Sequence, residues 1–364
     1  MTESQNPVGE LEDIFAAMEL GRRAEAFRRV ADLFASKSTR FSEDQLALFD
    51  DIMSRLIAEI DSAARAAFGA RFASSSHAPP RTMRLLALDD AIEVAGPILL
   101  RSMQLDGDTL VDGARTKSQE HLYAIAGRQR ISQAVTDVLV ERGDRRVAMA
   151  TAANLGAEFS EFGYSTLVAR SRGDDGLGLC VWSRPEIPRQ HLLRLFVEAS
   201  DAVRAKFEAA DRRKGKWISA MVNQASDQLQ TCVRESSAEY VAARSHVQSL
   251  HQSGQLSEAC LAAFAHEGKF DETTIALSLM CDLSIALVER AVVDDRSDKI
   301  IVLAKAIGLS WDTTKAILLI QAGAKGSSTH EMELCLAAFV KLKAETAMKA
   351  MQFYRLRERA VNAG

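Results

Sequence analysis

The chain has 364 residues, 47% of them apolar and 26% charged, with 49 acidic against 45 basic side chains and a formal charge of −4. That much apolar material builds a folded interior, and so even a charge balance excludes both a disordered acidic tail and a nucleic-acid coat. Prolines number 6, the last at Pro188, and aromatic residues make up 6%, so a chain of helices is expected.

From the N-terminus, Leu11–Met18 and Arg22–Ala35 read as two helices. Phe41-Ser42-Glu43-Asp44-Gln45-Leu46 then forms a capping box: Ser42 can accept from backbone amides, Gln45 can reach back, and Phe41 can staple onto Leu46. Leu46, Phe49, Ile52, Met53, Leu56, Ile57 and Ile60 follow at helical spacing. Ala73–Pro80 is composed like a linker and sets the expected end of an N-terminal helical segment, 1–78. From Thr82 onward the pattern becomes short helices separated by a few polar residues. Starts are marked by Asp106, by Thr116 with Gln119 three residues on, and by Ser132, Ser257, Asp271, Ser284 and Ser310.

Two distant stretches share a plan. Ile131-Ser132 opens a helix, a charged turn Glu141–Arg146 follows, and then come a second helix from Val147 and a third from Glu158. Leu283-Ser284 repeats it, with the turn Val293–Asp298, a helix from Lys299, Gly308 as a left-handed stop and a third helix after Ser310. Between them Ile218, Val222, Ala225, Leu229, Cys232, Ser236, Tyr240, Ala243, Val247 and Leu250 keep helical spacing on a thin stripe. Such a helix braces the array, or its seam, Ile218–Leu250, pairs with a second copy as a homodimer. The expected organisation is therefore all-α: a HEAT-like helical array over 79–208, a long connecting helix over 209–254, and a second HEAT-like array over 255–364, an α-solenoid in which each short helix is shielded by its neighbours.

Leu283–Asp298, Ile300–Lys315 and Glu345–Arg355 resemble the C-terminal half of an uncharacterised bacterial family built from HEAT-like repeats. Ile125-Ala-Gly-Arg-Gln-Arg-Ile-Ser132 with Gly143-Asp144 resembles its N-terminal half. The resemblance spans roughly residues 82 to 358 and implies an all-α repeat fold with no assigned activity. Gly127 and Thr151-Ala152-Ala153 stand where the family's more usual residues are bulkier.

Motifs that carry chemistry are scarce. The cysteines Cys180, Cys232, Cys260, Cys281 and Cys335 are odd in number and scattered, which argues against disulfide and zinc frameworks. No two of the histidines His77, His121, His191, His246, His251, His266 and His330 stand at i, i+4 to share a metal. Gly173-Asp174-Asp175-Gly176-Leu177-Gly178 holds a G-x-G but lacks the preceding strand and third glycine of a dinucleotide site, so it reads as a turn. Gly323–Ser328 has the wrong spacing for a phosphate loop. No metal and no cofactor is expected.

Two groups stand out as sites. Asp294, Asp295, Arg296, Asp298 and Lys299, with Trp311 and Asp312 one helix on, form a mixed-charge edge suited to a protein partner; their plainer reading is helix capping by Asp298 and packing by Trp311. Arg204, Lys206, Arg212, Arg213, Lys214 and Lys216, beside Phe207 and Trp217, could track phosphates. The expected function is a non-catalytic scaffold or adaptor for protein–protein interaction in bacterial signalling or regulation. The alternative is a nucleic-acid-binding or base-excision protein that uses a HEAT-like groove with Trp311 and Asp312. Met1–Glu10 has no basic stretch followed by an apolar core and no window suits a membrane span, so a cytoplasmic location without membrane attachment is expected.

Overall fold

The structure, a computed structural model, describes residues 23–37, 42–210, 228–294, 296–323 and 328–362. Every named element among them is a helix, and none of these helices is long and apolar enough to cross a membrane. The helix expected over Leu11–Met18, Asp295 and the basic residues Arg212, Arg213, Lys214 and Lys216 lie outside the described residues. The chain divides into two compact units, Met1–Gly163 and Tyr164–Gly364.

The first unit contains α1 (Arg23–Lys37), α2 (Glu43–Leu56), α3 (Ser62–Phe72), α4 (Pro80–Ala87), α5 (Ile92–Arg101), α6 (Gly107–Thr116), α7 (Gln119–Ala126), α8 (Gln133–Arg142) and α9 (Arg145–Ala153); the division from the second unit falls within α10 (Glu161–Arg170). The Ser42–Gln45 capping box forms as expected. Helices pack two apart in two rows: α2 on α4, α4 on α6 and α6 on α8 make one, and α3 on α5, α5 on α7 and α7 on α9 make the other. Sequential helices such as α4 and α5, or α8 and α9, close the gap between rows. The seam is apolar, with Met83, Leu86, Ile98, Leu99, Leu122, Ile125 and Leu139 fully buried. Such short helices hold only because both neighbours cover their apolar stripe.

Polar side chains fix this register by capping a helix two places away. The α2 carboxylate of Asp50 accepts from the amides of Arg81 (2.7 Å) and Thr82 (2.8 Å). It thereby caps α4, whose N-cap Pro79 makes no side-chain cap of its own. At the opposite ends, Arg128 after α7 donates to the carbonyls of Leu99 (2.5 Å) and Ser102 (2.7 Å) at the end of α5. Asn154 after α9 donates in turn to Ala126 (2.8 Å) and Arg128 (2.7 Å) at the end of α7. Ala73–Pro80, expected to be a linker, lies inside this unit with Ala73 and Ala78 buried, held by the Asp50 contacts that follow it.

The second unit comprises the rest of α10, then α11 (Asp175–Trp182), α12 (Arg189–Ala210), a helical stretch at 228–236, α13 (Ala238–Gln252), α14 (Glu258–His266), α15 (Phe270–Cys281), α16 (Ile285–Val293), α17 (Asp298–Ala306), α18 (Trp311–Ala322), α19 (Thr329–Lys341) and α20 (Ala344–Asn362). Its core gathers Val247, Leu261, Leu277, Val288, Ile300 and Ile317. Here too helices pack two apart, α13 on α15, α16 on α18 and α17 on α19, while α14 also reaches α18. Gln321 of α18 repeats the end-capping device by donating to the carbonyls of Ala291 (3.3 Å), Asp294 and Arg296 (3.2 Å) after α16.

Several starts differ from expectation. The single long connecting helix does not form: Ser237 breaks it, its hydroxyl accepting from the Tyr240 amide (3.2 Å) as a new N-cap. The stripe residues Tyr240, Ala243 and Val247 are spent on the unit's own core. Thr116 bonds back to Asp112 within α6, and Ser118 takes the N-cap position of α7. Phe270, not Asp271, opens α15. Glu158 stays outside α10, its amide donating to Ile131 (2.9 Å) beside a parallel bridge between Ile131 and Ala157. Ser284, Ser310 and the left-handed Gly308 stand where the repeated plan puts them.

Candidate functional site

A groove of about 1080 Å³ crosses one row of the first unit, from Ala70 of α3 over α5 and α7 to α9. Each helix gives it the stripe opposite its core stripe. On α5, Val94, Ala95, Ile98 and Leu99 face the interior while Ile92, Gly96, Pro97 and Leu100 line the groove. On α9, Val147, Ala148, Thr151 and Ala152 are buried while Arg146, Ala150 and Ala153 line it. The floor is deep because these side chains are small. Gly127, which ends α7, lets Leu100 of α5 come so close that a Cβ there would meet it at 2.8 Å.

The walls are apolar and basic. Leu155 (76% exposed) and Tyr123 (40%) offer apolar surface, and the Arg146 guanidinium lies 3.8 Å from the Tyr123 ring centroid, a contact that holds the cation at the rim instead of leaving it free in water. Arg101 and Glu120 complete the charged lining. Arg128 also lines the groove, but its donors are committed to the α5 carbonyls, and burial pushes its pKa down. The usable field is thus positive, from Arg101 and Arg146 against Glu120.

The mixed-charge group expected to bind a partner is dispersed among separate contacts. Asp294 accepts from Lys299 across the turn before α17, and Arg296 pairs with Asp298 (2.6 Å) on the exposed surface. That neighbour holds the Asp298 carboxyl below its ordinary pKa. Asp298 is the first residue of α17 behind the N-cap Ser297, so the expected capping by Asp298 is replaced by this ion pair. Trp311 opens α18 and packs on Phe339 of α19 (centroids 5.5 Å apart), while Asp312 is exposed in the first turn. The packing reading of Trp311 is the one its ring contact matches.

Sequence reasoning missed an ionic cluster in the second unit. Arg189 of α12 donates to Asp271 (2.6 Å) and to Glu289, whose other oxygen accepts from Arg234 (3.0 Å). Glu289 is 1% exposed and Arg189 is stacked 4.5 Å from the Tyr240 centroid. Burial raises the carboxyl pKa values of Asp271 and Glu289, and the guanidiniums oppose that shift. Two cations and two anions close on one another, binding α12, 228–236, α15 and α16 together. That is a structural clamp, costly to break because each survivor would be a buried, uncompensated charge. Its members lie 18 to 100 residues apart, so no local spacing could reveal it.

Residues 94–352, more than half of the chain, match the bacterial family described as "Uncharacterised protein conserved in bacteria (DUF2336)". The chain belongs to this family. The DUF2336 match begins within α5 and ends within α20, close to the span of the resemblance seen in the sequence, and it takes in the groove walls from α7 and α9. No curated protein and no solved structure matches the chain. In this DUF2336 chain Gly127 and Ala153, two of the small residues singled out in the sequence, line the groove.

Proposed function

We propose that this DUF2336 chain is a HEAT-like helical-repeat adaptor, an α-solenoid whose first unit holds an acidic, apolar-faced helix of a partner protein in the α5–α7–α9 groove. The observation that supports the repeat reading is the recurrent packing of each helix on the second one along, with Arg128 and Asn154 repeating the same end-capping contact one step apart. The groove supports the binding reading. It is larger and more open than a small metabolite needs, its small floor residues admit a helix roughly 10 Å wide, and its exposed cations select an acidic occupant. Nothing in this use requires a catalytic group.

The test is affinity purification of the full chain from its native cell, with the Arg101→Glu, Arg146→Glu double variant alongside. A partner helix carrying acidic residues next to apolar anchors should be lost about tenfold or more on charge reversal. Equal recovery with both forms contradicts the reading. The nucleic-acid alternative places Trp311 against a base, whereas that ring is packed on Phe339.

A further inference from the structure

A second, smaller opening lies in the second unit and is independent of the groove. It is a cleft of about 360 Å³ between the turn-and-helix Ser171–Trp182 and one stripe of α12, Leu195, Glu198, Ala199 and Ala202. That is within the range of small-ligand sites, roughly 300–1,000 Å³. The sequence marks this place only by the G-x-G of Gly173 to Gly178.

Its chemistry is apolar with a negative edge. Trp182 meets Phe196 edge to face, with centroids 4.2 Å apart and planes at 84°, and Leu179, 65% exposed, extends that wall. Gly173 takes φ 76°, the left-handed turn that brings Asp174 to the N-cap of α11. There the Asp174 carboxylate accepts from the Leu177 amide (3.1 Å). The helix N-terminus that might have drawn a phosphate is thus already served by a carboxylate. Around the cleft stand Asp174, Asp175 and Glu198 against a single cation, Arg172, which donates to Glu198 at 2.9 Å. Such a lining repels anions and attracts positive charge. The aromatic wall adds a face on which an ammonium group can rest.

We propose that the cleft formed by Ser171–Trp182 and α12 binds a small organic cation with an aromatic or alkyl body, its body against Trp182, Phe196 and Leu179 and its charge toward Asp175 and Glu198. Arg172 occupies part of that charge site by pairing with Glu198 and therefore competes with the ligand. The arrangement makes this chain both an adaptor and a receptor for an amine.

The experiment is calorimetric titration of the full chain with phenethyltrimethylammonium, using 3-phenylpropanoate as a counterpart of similar size and opposite charge. The ammonium probe should bind about tenfold or more tightly than the carboxylate and lose affinity with added salt. Arg172→Gln should tighten it severalfold by freeing Glu198. Trp182→Leu should weaken it, and because that change could disturb folding, Leu179→Lys, at an exposed position, serves as the second variant: it should abolish binding with the melting temperature unchanged. Equal binding of both probes, no binding of the ammonium probe at about 10 mM, or an Arg172→Gln variant that binds no tighter would each overturn the proposal. Since the readout is in the second unit and involves no protein partner, its failure leaves the groove reading standing, and the reverse holds.

Discussion

At the scale of single residues, the two glycines around the groove separate steric necessity from tolerance. A Cβ on Gly156 would stand 1.8 Å from the backbone carbonyl oxygen of Gln129, and backbone cannot yield as a side chain can. Gly156→Ala should therefore cost roughly 2–4 kcal/mol, read as a fall in denaturation midpoint. A Cβ on Gly127 meets only the end of the Leu100 side chain, and Gly127 already has helix-like angles, φ −82° and ψ −2°. Displacing that methyl offsets the roughly 0.4–1 kcal/mol gained by stiffening the unfolded chain, so Gly127→Ala should leave stability nearly unchanged. A result with the two costs reversed would mean that the α7–α9 connection is not packed as described.

At the scale of elements, Glu258 shows how one side chain joins two helices. Its carboxylate, on α14, accepts from the Ser310 amide (2.7 Å) and the Thr313 hydroxyl (2.7 Å) at the start of α18. The Ser310 hydrogen bonds, followed by Thr313, hold its pKa below the ordinary 4.5. A lowered folded pKa means that the stabilisation is present above the ordinary value and is lost as pH falls through and below it. Acid titration of stability should show this loss below about pH 4.5; Glu258→Gln should lower stability by about 1 kcal/mol at neutral pH and flatten that acid limb. An identical acid limb in the variant would exclude the link.

The same scale shows what could be read in advance. Helix starts with a local signal, Ser42 with Gln45, Asp106, Ser284 and Ser310, fall where the sequence puts them because cap and amide are three residues apart. Asp50, Asn154 and Gln321 carry no such mark, since the helix ends they serve lie 25 to 32 residues away. The long helix expected around Ile218–Leu250 is a failure of the same kind. Helical spacing continues across Ser236-Ser237, and only the hydroxyl competing for the Tyr240 amide shows the break. The groove was hidden for another reason: Gly96, Ala150 and Ala153 lie on faces that periodicity assigns to solvent, and only the neighbouring helix turns small residues into a floor.

At the scale of the whole molecule, the account rests on helices too short to be stable alone, stacked so that one face of a row is left as a positive, apolar channel. The measurement that tests this most directly is site-specific photo-crosslinking in the native cell. The crosslinking residue would replace Leu155 at the groove or Leu85, which is 48% exposed on α4 in the other row. The account predicts that Leu155 captures a partner segment with acidic residues beside apolar ones at helical spacing, that Leu85 does not, and that the Arg101→Glu, Arg146→Glu variant loses the adduct. Equal labelling from both positions, or adducts at Leu155 that survive the charge reversal, would contradict it.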